Sequence, residues 1–179
     1  MEEVIEKILL TEKQLDERVT EIARQLDEEY AGKKPLMVCI LKGSVMFFAD
    51  LIRKMKIELS IDFMSISSYG NGVKSSGEVK MIKDLDRKIE GKNVIIVEDI
   101  IDSGYTMSYL TKMLSARRPE SIKICTLLDK PSRREADVKV DYRGFEIADE
   151  FVVGYGLDYA GLYRNFPYIG ILKKEVYEK

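Results

Sequence analysis

No histidine occurs anywhere in the chain. That single absence excludes Ser-His-Asp and Cys-His nucleophilic catalysis and every His-ligated metal site. Cysteine occurs only twice, at Cys39 and Cys125, too few to complete a structural zinc site. Both sit inside apolar runs, LMVCIL and IKICTLL, so they read as small buried hydrophobes rather than a disulfide. Proton transfer is left to Asp, Glu, Lys or Tyr, and any metal is expected to be a hard cation held by oxygens. No apolar run is long enough to span a bilayer, and the opening Met-Glu-Glu does not resemble a signal peptide. The expected compartment is the cytosol, with no membrane partner. A net charge of −2 gives no basic footprint for a general nucleic-acid binder.

What is present describes an ordinary globular chain. Its 179 residues, 45% hydrophobic and 34% charged, suffice for a substantial core. No linker or internal repeat divides it, so residues 1–179 are read as one domain. Residues 11–30 predict a helix: Thr11 and Gln14 match a capping box, Leu15, Val19, Ile22, Ala23 and Leu26 share one face, and Gly32 closes it. The run 36–41 predicts a buried parallel strand, followed by Gly43 and a helix. Residues 57–67 alternate and predict an extended segment, with a possible return strand in EVKMIKDL. Between them, YGNGVKSSG holds three glycines and two serines without periodicity, the composition of a lid loop. NVIIVED predicts a strand, 105–118 a helix ended by Pro119, and 122–128 another strand. Further short strand-like pieces follow from 145 onward. The strand–helix–strand alternation predicts an α/β domain with a parallel sheet.

One stretch resists a purely structural reading. In VIIVEDIIDSGYT, residues 94–106, an apolar strand ends in Glu98, Asp99 and Asp102 and runs into Ser103, Gly104, Tyr105 and Thr106. Ligands of open α/β sheets bind beyond the carboxyl ends of strands. Backbone N–H groups at the following helix N-terminus, with two hydroxyls beside them, would form a phosphate cradle that Gly104 lets a ligand approach. The plainer reading makes Asp102 or Ser103 a helix N-cap. Capping accounts for one polar residue but not for two further acids at the strand end, so the spacing favours phosphate. Neither a P-loop nor a dinucleotide fingerprint is present.

This stretch resembles the phosphoribosyl-diphosphate-binding motif of type I phosphoribosyltransferases. Together with LKGS at 41–44, SSYG at 67–70, LLDK at 127–130 and FVVGYGLDYAGLYRN at 151–165, it is similar to the compact bacterial-type hypoxanthine-guanine members of that family. The resemblance spans residues 36 to 172. It implies a type I phosphoribosyltransferase fold, a mostly parallel sheet flanked by helices, with a small hood and a flexible lid loop. It implies transfer of the phosphoribosyl group of phosphoribosyl diphosphate to hypoxanthine or guanine, giving IMP or GMP and pyrophosphate, with Mg²⁺ as cofactor and a homodimer or homotetramer as the assembly.

The resemblance also implies roles. Glu98 and Asp99 would meet the ribose diol directly or through Mg²⁺, and Ser103, Gly104, Tyr105 and Thr106 the 5′-phosphate. Asp102 would take the purine N7 proton as general base. Lys42 and Gly43 would meet pyrophosphate, in a loop whose peptide bond before the lysine is often cis in the family, and Arg164 would clamp the same group. Lys130 would donate to the purine O6; having only donors, it suits a 6-oxo and not a 6-amino base. Phe151 would stack on the purine, Val152 would present backbone groups to its edge, and Asp158 would hold a second Mg²⁺ through water and lie near the 2-position of the base. Ser68 and Tyr69 would ride on the lid over residues 68–77. Tyr105 is expected to contribute only backbone, and Arg133 and Arg134 are expected to be surface charges. A transferase for xanthine or uracil, and an RNA-binding regulator with the same motif, are the alternatives; the net charge does not support the latter.

Overall fold

The apolar run 36–41 becomes the centre of a sheet buried on both faces. The computed structural model describes residues 2–68 and 79–178. In chain order its elements are β1 (Ile5–Leu10), α1 (Glu12–Glu29), β2 (Leu36–Leu41), α2 (Val45–Lys54), β3 (Ser60–Ser68), β4 (Val79–Lys83), β5 (Asn93–Ile101), α3 (Tyr105–Ser115), β6 (Ser121–Asp129), β7 (Tyr142–Glu146), β8 (Val152–Val153), β9 (Ile169–Leu172) and α4 (Lys174–Tyr177). Six strands form one sheet in the order β4-β3-β2-β5-β6-β7. All neighbours in it are parallel except β4, which returns antiparallel against β3.

The period-2 geometry of a strand divides each central run between two cores. From β2, Met37 and Cys39 face one cluster with Leu15, Val19 and Ile22 of α1 and Phe47 and Leu51 of α2. Leu36, Val38 and Ile40 face the other, with Met107, Leu110 and Leu114 of α3. Helices thus cover both faces, which is why β2 and β5 show no polar alternation. The capping box of α1 is present, with Thr11 and Gln14 satisfying each other's backbone, a device worth about 1 kcal/mol. The five apolar positions expected on its inner face are all buried. Both cysteines are buried and free.

Three differences from the sequence expectation have local causes. Residues 57–59 precede β3 rather than belonging to it. The helix expected to reach residue 118 ends at Ser115, because Arg118 takes a positive φ of 55° and turns the chain toward β6. β1, which the sequence did not reveal, pairs antiparallel with β9, and β9 with β8, making a separate three-stranded sheet. Its strands are short and lie at opposite ends of the chain, so no local pattern announces them. Among the described residues, no helix is long and apolar enough to cross a membrane. Of the lid loop expected over 68–77, residues 69–77 lie outside the described residues, Tyr69 among them; Ser68 ends β3, paired in register with Val79.

Candidate active site

The carboxyl ends of β2 and β5, the start of α3 and the loop after β8 meet around a cavity of about 460 Å³. Its lining includes Gly43, Glu98, Asp99, Asp102, Ser103, Gly104, Thr106, Asp158 and Arg164. Residues scattered over the sequence from 43 to 164 are therefore gathered at one sheet edge, as the strand order requires.

The N-terminus of α3 removes the capping reading of the acidic stretch. Its cap residue is Gly104, in the left-handed region at φ 86°, and no side chain caps the helix. Neither Asp102 nor Ser103 is used for capping, so the first N–H groups of an 11-residue helix face the cavity edge without a side-chain partner. That is the anion-binding arrangement of a helix N-terminus. A side chain at 104 is excluded twice, by the positive φ and because a Cβ there would come within 2.8 Å of Arg134 Cδ and 3.2 Å of the Ala136 carbonyl.

Behind the cradle lie the two adjacent acids. Glu98 is 8% exposed and accepts from the Asp99 N–H at 3.1 Å, while Asp99 accepts from the Ile100 N–H at 2.8 Å. Burial pushes both carboxyls up, and for Glu98 the adjacent Asp99 charge pushes the same way. Two desolvated carboxylates side by side are unfavourable alone and suited to a diol or a hard cation. Among the described residues, no group of three or more His, Cys, Asp or Glu side chains is placed to hold a metal. A cation here would draw its remaining oxygens from a ligand or water.

The loop after β2 closes against these acids. The Leu41–Lys42 peptide bond is cis, Ser44 is fully buried and donates to the Ile40 carbonyl, and Gly43 rests on the Asp99 carboxylate. Lys42 itself is exposed and does not line the cavity. Gly156, at φ 104°, packs on the Gly43 carbonyl so tightly that a Cβ would lie 1.9 Å from it. The loop after β8 is thereby pressed onto the loop after β2. On that loop Arg164 pairs with Asp158 at 2.6 Å and donates to the Gly156 carbonyl at 2.6 Å, and Asp158 also accepts from the Gly161 N–H at 2.7 Å. Arg164 and Asp158 thus neighbour the cavity as a pair.

Of the residues expected around a purine, Asp158 lines this cavity, and Lys130, Phe151 and Val152 do not. Lys130 is 7% exposed, held by the Glu150 carbonyl at 2.8 Å and Asp149 at 3.4 Å. Phe151 stacks on Tyr177 of α4 at 4.8 Å and meets Tyr159 edge-on at 5.7 Å. Val152 is buried in β8, opposite Ile171.

One expectation is corrected. Arg134 is not a surface charge, whereas Arg133 is exposed as expected and makes surface ion pairs. Arg133, on the turn after Lys130, bonds Asp102 at 3.1 Å and Asp149 at 3.3 Å. Arg134 pairs with Asp129, which is 1% exposed, and donates to the Asp102 carbonyl at 3.2 Å. The signal was available: Asp129 and the acids of β5 end neighbouring parallel strands, and buried carboxylates require cations nearby. The Tyr105 side chain is turned to the strap after β6, its hydroxyl donating to Glu135 at 2.9 Å.

The comparisons with known proteins identify the family. A family model described as "Phosphoribosyl transferase domain" matches residues 7–160. A hypoxanthine-guanine phosphoribosyltransferase from Bacillus subtilis is 55% identical over 178 residues, covering 99% of each chain. A crystal structure of a hypoxanthine phosphoribosyltransferase from Staphylococcus aureus superposes with a TM-score of 0.97 at 51% identity, over 100% of this chain and 97% of that one. A hypoxanthine-guanine phosphoribosyltransferase structure from Bacillus anthracis gives 0.91 at 49% identity, over 94% and 99%. With most of its length matched by the family and 49–55% of its residues shared with these relatives, the chain belongs to the phosphoribosyl transferase domain family, among its hypoxanthine-guanine phosphoribosyltransferases.

Proposed function

We propose that the chain salvages 6-oxopurines, joining N9 of hypoxanthine or guanine to C1′ of phosphoribosyl diphosphate with release of pyrophosphate. The observation that carries the reading is the side-chain-free N-terminus of α3 directly after the adjacent acids Glu98, buried, and Asp99, half-buried, both with carboxyls pushed up by desolvation. A dianionic phosphate suits the first and a vicinal diol the second, and a ribose 5-phosphate presents both from one sugar.

In this reading the 5′-phosphate rests on the N–H groups of Ser103 to Thr106. Glu98 and Asp99 accept from the ribose hydroxyls. The N9–C1′ bond forms as the bond from C1′ to pyrophosphate breaks, and the proton on purine N7 passes to Asp102. Positive charge developing on the sugar makes that proton more acidic, so a carboxylate suffices as its acceptor. Arg164 and the loop at Lys42 and Gly43 hold the departing pyrophosphate. Lys130 donates to O6, Phe151 offers its ring to the base, and Val152 its backbone groups. Ser68 and Tyr69 belong to the segment proposed to exclude water from the reacting sugar.

The donor set fits Mg²⁺. Glu98 and Asp99 would hold one ion on the sugar side, and Asp158 a second through water on the pyrophosphate side, with substrate oxygens completing each shell. When bound, it supplies charge neutralisation for the leaving pyrophosphate. The homodimer or homotetramer is supported by family resemblance, and sedimentation of the purified chain tests it.

The test is steady-state nucleotide formation with phosphoribosyl diphosphate and Mg²⁺, offering hypoxanthine, guanine, xanthine, adenine and uracil separately. Turnover of hypoxanthine and guanine with adenine and uracil inert is the expected result. Turnover of uracil alone would overturn the purine pocket built on Lys130 and Phe151. Binding of phosphoribosyl diphosphate without turnover of any base would overturn the enzymatic reading.

A further inference from the structure

Asp102 and Lys130, the two side chains proposed to read the purine, are joined by a continuous chain of alternating charge. Asp102 Oδ1 lies 3.1 Å from Arg133 Nε, Arg133 Nη1 lies 3.3 Å from Asp149 Oδ2, and Asp149 Oδ1 lies 3.4 Å from Lys130 Nζ. The middle of the chain is anchored by backbone. Arg133 sits on a single 3-10 turn, Pro131–Arg133, and the next residues are tied to the phosphate loop: the N–H groups of Glu135 and Ala136 both donate to the Ser103 carbonyl, at 2.9 and 3.0 Å. Arg134 bonds the Asp102 carbonyl from the same strap. The guanidinium of Arg133 is thus presented to Asp102 from a fixed point.

We infer that Arg133 is a positioning residue for this reaction: it orients the Asp102 carboxylate and, through Asp149, keeps it in register with the Lys130 ammonium. The inference rests on the purine-transfer reading above. N7–H and O6 of a 6-oxopurine lie on one edge of the base, one donating and the other accepting. Reading that edge requires an acceptor and a donor side by side at a set spacing. Two flexible side chains from different strand ends do not hold such spacing alone. A planar guanidinium between two carboxylates does, because its donors are fixed in one fork. Arg133 does not line the cavity and acts through its two acidic neighbours, Asp102 and Asp149.

The experiment compares wild type, Arg133→Met, Arg133→Lys, Asp102→Asn and the double variant Arg133→Met/Asp102→Asn. Single-turnover rates with enzyme in excess are measured for hypoxanthine with phosphoribosyl diphosphate and Mg²⁺, so that slow variants remain readable. Arg133→Met should slow the chemical step by about ten-fold, the scale of one charge-assisted hydrogen bond, and leave the KM for phosphoribosyl diphosphate unchanged. Arg133→Lys should recover part of that loss. In the Asp102→Asn background, Arg133→Met should cost nothing further, since it acts through the group already removed. Equal losses in the two backgrounds, or no loss from Arg133→Met in an otherwise active enzyme, would overturn the inference. A wild type unable to convert hypoxanthine would instead overturn the purine-transfer reading.

Discussion

Gly43 and Asp99 touch so closely that a methyl group cannot be placed between them. A Cβ built on Gly43 would lie 1.7 Å from Asp99 Oδ2 and 2.7 Å from its Cγ. Gly43 follows β2 and Asp99 lies in β5, and neither predicts the other in the sequence. Their contact sets the loop proposed for pyrophosphate against the acids proposed for the ribose.

Gly43→Ala should therefore act on Asp99 rather than on the loop alone. The carboxylate must move by more than an ångström, and a displacement of that size at a reacting centre costs about 100-fold in rate. We expect kcat/KM for phosphoribosyl diphosphate to fall by that order while the circular dichroism spectrum is unchanged. A variant with wild-type kcat/KM would mean that the Asp99 carboxylate has no fixed role in sugar binding.

Lys130→Met tests the proposed donor to O6. The ammonium is nearly buried and already held by Asp149 and the Glu150 carbonyl, so it is aimed rather than free. Loss of a charge-assisted hydrogen bond should raise the KM for hypoxanthine by about 10- to 100-fold. The KM for phosphoribosyl diphosphate should not change. Parallel increases in both constants would instead point to a structural role at the end of β6.

The sequence made the sheet legible where apolar runs are flanked by turn residues, as at β2, β5 and β6. It made the cavity legible because a strand ending in three acids has no packing explanation. It did not disclose β1, whose partner β9 lies at the far end of the chain, nor the tight Gly43–Asp99 and Gly43–Gly156 contacts. Those are distances between loops, and period and propensity carry no information about them. Arg133 and Arg134 went unread for a different reason: a charged residue after a strand is usually solvated, and only the register of β5 beside β6, with Ile101 opposite Asp129, shows which acids need them.

Arg134→Met should be the most destabilising of the charge removals. Asp129 is 1% exposed and is shared by Arg134 and Arg143, the latter at 2.8 Å. Removing one partner of a buried pair typically costs 3–5 kcal/mol, and because Arg143 remains, about 2 kcal/mol is expected here. Urea denaturation at neutral pH measures it as a lower midpoint with an unchanged slope. The companion variant Arg143→Met, whose side chain is 45% exposed, should cost less. The reverse order would show that Arg143 carries the buried charge.

The cysteines give a prediction in pH. Burial raises the Cys39 thiol from about 9 to about 11, and raises Cys125, fully enclosed under α1, still further. At pH 8 about one Cys39 in a thousand would be thiolate, so a thiol reagent should label the native chain far more slowly than the urea-unfolded chain. The linkage runs in the same sense. The native state retains thiol protons that the unfolded state loses above pH 9, so this contribution is fully present below about pH 9 and is lost as pH rises toward 11. Lysine and tyrosine titrate in the same range, so the comparison must be with Cys39→Ala/Cys125→Ala, whose urea midpoint should fall less steeply between pH 9 and 11 than that of the wild type. Rapid labelling of the native chain at pH 8 would show instead that the core around Cys39 opens without global unfolding.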